Sequence, residues 1–156
     1  MNKLSQLYDS NYQTWAKQTI ELLETRRFAE LDIEHLIIEL SDMGKSEQRE
    51  LINRLRILLS HLLKWQYQYK QLSEKWREFD GKSWKNTIIA QRIEIAIQIR
   101  KQPSLKSLLS LAITEAYSDA VELTMAETGL SISTFPAECL YTEMQILDKQ
   151  FFPQSE

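Results

Sequence analysis

Apolar residues recur at three- and four-residue steps along most of this chain, the spacing that lines one face of a helix. Tyr12, Trp15, Ala16, Thr19, Leu22 and Leu23 mark such a face and predict a helix from about Asn11 to Arg27. Asp32 stands where an N-cap belongs. Ile33, Leu36, Ile37, Leu40 and Met43 repeat the spacing as far as Gly44, a natural left-handed stop, which predicts a short second helix. Ser46 can cap a third helix, with Glu47 in its first turn and Leu51, Leu55, Leu58, Leu62, Trp65 and Tyr69 forming one stripe over about six turns.

The stretch from Tyr67 to Lys82 is polar and aromatic with weak periodicity, so an irregular connection is expected around Phe79, Asp80 and Gly81, before Ser83 caps a fourth helix. Arg92 to Arg100 alternates as a strand would, and isoleucine favours strands. A lone strand would leave its backbone edges unpaired and no second strand candidate exists, so the segment is read as helix. Ile93/Ile97 and Ile95/Ile99 then fall on nearly opposite sides, which predicts a helix covered on two faces and the most buried of the set. Pro103-Ser104 opens a fifth helix, whose Leu105, Leu108, Leu109, Ala112, Ala116, Ala120 and Leu123 line one face until Gly129 closes it. Its alanines, at four-residue steps, make a narrow ridge that lets a neighbour approach closely. Beyond Phe135-Pro136, a short helix is expected near Glu143 to Gln150.

Three glycines and three prolines in 156 residues agree with long helices and few breaks. The expectation is an all-α fold: a single-domain antiparallel bundle over residues 1–156, of about five main helices plus a short C-terminal one, with the third, fourth and fifth helices at its core. A content of 43% apolar residues suffices for one core without disulfides or metal. A formal charge of −3 argues against a general nucleic-acid or membrane-surface footprint. No apolar signal core or membrane-length run is present, so no membrane association is expected. The one cysteine, Cys139, cannot pair internally and suits a reducing compartment, which predicts a cytoplasmic protein.

Several groups of residues together resemble a known family. They are Leu7-Tyr8-Asp9 with Trp15, the run Leu40 to Ser46, the run His61 to Gln68, Ser83-Trp84 with Thr87-Ile88 and Gln91-Arg92, and Pro103-Ser104-Leu105. Ala116-Tyr117 with Ala120, Ala126 to Leu130, and Phe135-Pro136 with Cys139 and Tyr141-Thr142 complete the set. On these residues the chain is similar, over nearly its whole length, to the bacterial family catalogued as domain of unknown function twenty-nine, common in cyanobacteria and proteobacteria. The resemblance implies an all-α single domain and no established activity. Two features depart from the family pattern: Leu140 stands where a proline is expected, and Tyr69 to Lys82 is longer than the usual link before Ser83-Trp84.

Candidate chemistry is sparse. A dimetal bundle site needs two Glu-x-x-His pairs, and neither of the two histidines, His35 and His61, has a glutamate three residues before it. His35 and Glu39 lie one turn apart, but two ligands are too few to hold a metal, so no metal and no cofactor are expected. The best enzymatic alternative is a metal-independent ribonuclease or toxin of the HEPN type, with His61 as general acid or base and Arg54 or Arg56 stabilising phosphate charge. On a straight helix Arg56 and His61 diverge by about 140°, whereas Arg54 and His61 share a face.

The sharpest local anomaly lies between Lys64 and Lys85. Six cations there (Lys64, Lys70, Lys75, Arg77, Lys82, Lys85) face only three carboxylates, interleaved with Trp65, Tyr67, Tyr69, Trp76, Phe79 and Trp84. Aromatic faces beside cations can stack on bases or grip an extended peptide. The expectation is therefore a non-catalytic interaction module that binds through Lys64, Trp65, Trp76, Phe79 and Trp84, with Trp76 and Phe79 the most exposed. A protein is the preferred partner and RNA the alternative, and a homodimer completing the bundle in trans is a third option.

Overall fold

The computed structural model describes residues 3–156. Over these residues the chain is all-α, with seven α-helices and no strand. It divides into two compact units, one ending at Ser46 and the other beginning at Glu47. Among the described residues no helix is long and apolar enough to cross a membrane.

The first unit contains α1 (Lys3–Ser10), α2 (Tyr12–Glu24), a 3-10 turn (Phe28–Glu30) and the beginning of α3 (Ile33–Tyr67). Helix α1 was not predicted. It is separated from α2 by Asn11, whose extended backbone (φ −154) and side chain cap α2, the carboxamide oxygen accepting from Thr14 N at 3.2 Å. The predicted second and third helices are one 35-residue helix, because Gly44 does not terminate it. Of the three glycines, Gly81 and Gly129 adopt the left-handed backbone and Gly44 does not. A helical glycine costs about 1 kcal/mol, which the helix-forming runs on both sides outweigh. Buried positions in this unit are few: Leu4, Trp15, Thr19 and Asp32. The apolar stripe of the predicted second helix is mostly outside, with Ile33, Ile37, Leu40 and Met43 between 53% and 66% exposed.

The second unit is built on the rest of α3 with α4 (Tyr69–Lys75), α5 (Lys82–Lys101), α6 (Leu109–Thr128) and α7 (Glu143–Leu147). Gln98 donates to the Glu47 carbonyl at 3.0 Å, Arg54 lies 3.6 Å from Glu94, and Lys64 sits over the Trp84 ring. These pairs run in opposite senses along the chain, so α5 is antiparallel to α3. Ser60 hydrogen-bonds Thr124 at 2.9 Å and Lys64 ion-pairs with Glu127, so α6 runs parallel to α3 and closes an up-down-up core. Leu51, Leu55, Leu58, Leu59 and Leu62 of α3 are fully buried against Ile88 and Ile95 of α5 and the Ala112, Ala116 and Ala120 ridge of α6. The three helices expected at the core are there.

Two local expectations change. Helix α5 is not covered on two faces: its buried residues are Ile88, Arg92, Ile95 and Gln98, one ordinary stripe, while Ile89 and Ile93 are 38% and 42% exposed. Ser83 is not its cap, because the helix begins at Lys82 after Gly81, in the left-handed region (φ 69). The segment Pro103–Leu108 is a 3-10 turn leading into α6, and α7 is held by a capping box between Thr142 and Gln145.

Candidate functional site

The Lys64 to Lys85 segment folds largely onto itself. Trp65 stacks on Tyr69 (centroids 4.4 Å apart, 16° between planes) and also touches Phe152 (5.0 Å). Phe79 packs between Tyr69 (5.7 Å) and Trp84 (5.0 Å), and is half-buried rather than exposed. Lys64 is withdrawn from the surface, 7% exposed, ion-paired with Glu127, its ammonium 5.9 Å from the Trp84 ring centre. Four of the five predicted binding residues thus form an internally satisfied cluster. The fifth, Trp76, is 59% exposed at the end of α4, with the Lys75 ammonium 6.0 Å from its ring centre. In the same segment Lys70, Lys75, Arg77, Lys82 and Lys85 are all exposed, as are Glu74, Glu78 and Asp80.

Gly81 is the hinge of this arrangement. Its φ of +69 disfavours any side chain, and a Cβ there would stand 2.5 Å from Tyr69 Cε2 and 3.1 Å from Trp65 Cζ3. Gly81→Ala is expected to lower stability by about 2 kcal/mol, which thermal unfolding would register as a melting point roughly 4–8 °C lower. A loss of only a few tenths would mean that the Trp65–Tyr69 stack can yield.

Arg54, Arg56 and His61 are all half-buried on α3, and no hydrogen bond joins any two of them. Arg54 is held by Glu50 at 2.6 Å and by Glu94. His61 Nδ1 donates to the Ile57 carbonyl one turn back, at 2.8 Å; burial pulls its pKa down and the nearby Lys64 pulls it further. The imidazole is thus kept neutral and tied to its own helix, an ordinary role for a packed histidine, and the ribonuclease alternative gains no geometric support. A cleft of about 630 Å³ is lined by Ser110, Thr114, Tyr117, Cys139, Tyr141 and Glu143 among others. Burial pushes the Cys139 thiol pKa up, the opposite of what a nucleophile needs.

One constellation in the first unit was not read from the sequence. Asp32 Oδ2 accepts from Trp15 Nε1 at 3.0 Å and from His35 Nδ1 at 2.6 Å. Burial would raise the Asp32 pKa, but the His35 and Trp15 hydrogen bonds outweigh it and the carboxyl sits below its usual range, so Asp32 is ionised and His35 Nδ1 carries the proton. Tyr8 stacks on the His35 ring (3.9 Å, 20°), and the hydroxyls of Tyr8 and Tyr12 donate to the two oxygens of Glu39 at 2.5 and 2.6 Å. Those bonds lower the Glu39 pKa and, with Glu39 as acceptor, push Tyr8 up to about 12. His35 and Glu39 are therefore engaged separately. Among the described residues, no group of three or more His, Cys, Asp or Glu side chains assembles in a way that could hold a metal ion.

Comparison with known proteins gives one match. The family model described as Domain of unknown function DUF29 matches residues 7–152. No curated protein and no solved structure matches the chain.

Proposed function

Since the chain belongs to the DUF29 family, which carries no assigned activity, we propose from its geometry that it is a non-catalytic interaction module presenting Trp76 to an acidic protein partner. The exposed indole carries this reading: in a segment whose other aromatic rings are packed together, Trp76 alone among the large apolar side chains from 64 to 85 is exposed. An indole held out at the end of a short helix beside the Lys75 ammonium, in a segment with five exposed cations, has the make-up of a binding anchor, with tryptophan a favoured hot-spot residue and flanking charge steering an acidic partner. The packed cluster of Trp65, Tyr69, Phe79 and Trp84 in the same segment limits the ordering cost of binding. A cytoplasmic, reducing setting belongs to the same proposal and is supported by the free Cys139 thiol.

Structure also separates two substitutions. Trp76→Ala is expected to leave the circular dichroism spectrum and melting point unchanged while weakening partner binding by at least tenfold, the effect of removing a hot-spot indole. Phe79→Ala should instead lower stability by loosening the Tyr69–Trp84 contacts. The test is affinity capture by wild-type and Trp76→Ala chains in parallel, with and without nuclease. Identical sets of retained proteins would sink the proposal, and material lost on nuclease treatment would make RNA the ligand.

A further inference from the structure

The part of α3 that lies in the first unit carries an apolar seam that no other described segment of that unit covers. Ile33, Ile37 and Leu40 are 53%, 62% and 66% exposed, and Met43 on the flank away from Glu34 is 63% exposed. The first three step by four and then three residues, and Gly44 adds the next four, the spacing with which one helix receives another. Gly44 is helical, and a side chain there would meet nothing within 4 Å. Neither a turn nor internal crowding therefore requires glycine, although glycine weakens a helix interior. On this seam a bare Cα lets a second backbone come close.

We infer that the seam docks a second copy of the same chain, the two α3 segments lying antiparallel. The flanking charges decide the occupant. Glu34 and Lys45 are exposed and have no ion pair among the described residues. Eleven residues apart, they lie within about 20° of each other around the helix, on one flank of the seam. A two-fold axis between Glu39 and Leu40 sets Glu34 of each copy level with Lys45 of the other, giving two equivalent ion pairs. In that same register Ile33, Ile37 and Gly44 are offset by about 3 Å along the axis from the nearest seam residues of the other copy, while the two Leu40 side chains, about 1.5 Å apart along the axis, meet at the two-fold. A parallel pairing would put the flank that carries Glu34 and Lys45 on opposite sides of the seam in the two copies, so neither ion pair could form. The exposed apolar patch amounts to roughly 500 Å² per copy, at the upper end for a monomer surface and, doubled, about the 1,000 Å² that a specific interface needs. This interface is independent of the Trp76 reading, since it uses a different unit and a different partner.

Sedimentation velocity of the full chain tests the inference. The wild type is expected to dimerise at micromolar concentration. Leu40→Glu, at a solvent-facing position, is expected to weaken dimerisation about 100-fold with an unchanged circular dichroism spectrum. Glu34→Lys and Lys45→Glu should each weaken the dimer about tenfold, and combining them should restore it. Gly44→Leu should weaken the dimer while raising the melting point of the monomer, a combination that a glycine needed only for the fold would not give. A monomeric wild type, a dimer that tolerates Leu40→Glu, or a charge swap that fails to rescue would each overturn the inference.

Discussion

Arg92→Ala is expected to destabilise the second unit by about 3–5 kcal/mol, a large share of the total stability of a domain this size. Arg92 is 2% exposed on the core stripe of α5. Its Nε donates to the Ile146 carbonyl at 2.8 Å and its Nη2 to the Gln145 carbonyl at 3.2 Å, capping the otherwise unpaired end of α7, while the guanidinium lies 5.5 Å from the Phe152 ring centre. Burial lowers its pKa, partly countered by Asp148, yet a guanidinium stays charged at any ordinary pH. Truncation leaves two carbonyls without donors and a cavity where a long side chain stood. Arg92→Lys keeps the charge but cannot serve both carbonyls from one fork, so it should recover only part of the loss. Urea unfolding monitored by circular dichroism measures both. A loss below about 1 kcal/mol for Arg92→Ala would mean that α7 and Phe152 are held by other contacts.

The same residue explains why α5 misled the sequence reading. Its buried stripe is Ile88, Arg92, Ile95 and Gln98, so two of the four core positions are polar, while Ile89 and Ile93 point outward. Hydrophobicity thus no longer tracks burial: of the alternating isoleucines only Ile95 is fully buried, Ile93 points outward, and two core positions of the stripe are polar. Helices α3 and α6 were legible because their core positions are leucines and alanines at regular helical steps. Gly44 was misread for a related reason. Glycine signals a helix stop only when the following chain leaves the helix; no proline follows here, and Ser46 is carried within the helix.

The candidate site was legible as composition but not as geometry. The aromatic and basic concentration of residues 64–85 is real, yet which rings face one another depends on Phe152, far away in sequence, and on the left-handed turn at Gly81. Nor could Lys64 be told from its exposed neighbours, since its partner Glu127 lies on α6. Trp15, Asp32, His35 and Glu39 were each noticed for a local reason, as stripe, cap or metal pair. Their shared network requires α1 and α2 to fold back on α3, and α1 itself carried too few apolar repeats to be predicted.

Because that network joins so thinly cored a unit, Asp32→Ala is expected to unfold α1 and α2 locally while the second unit stays intact. The carboxylate is 8% exposed, and its loss leaves the Trp15 indole N–H and the His35 ring N–H without their acceptor, a cost of about 2–4 kcal/mol where only Leu4 and Trp15 supply buried apolar surface. Asp32→Asn, which keeps one acceptor oxygen, should cost roughly half as much. Acid should act in the same direction. Asp32 and Glu39 both have folded pKa values below their ordinary 3.8 and 4.5, so the stability they contribute is fully present above the ordinary carboxylate range and is lost as pH falls through the folded values. Tyr8, raised to about 12 by its bond to Glu39, sets an alkaline limit: its contribution is present below pH 10 and disappears between 10 and about 12. Hydrogen exchange read segment by segment is the measurement, since it reports local opening separately from global unfolding. Amides of α1 and α2 should lose protection in Asp32→Ala at neutral pH, and in the wild type below about pH 4, before those of α5 and α6 do. Protection lost together in both units would mean that the two unfold as one cooperative block, and unchanged protection in Asp32→Ala would mean that the Tyr8–His35 stack and the Glu39 bonds hold α1 and α2 without the buried carboxylate.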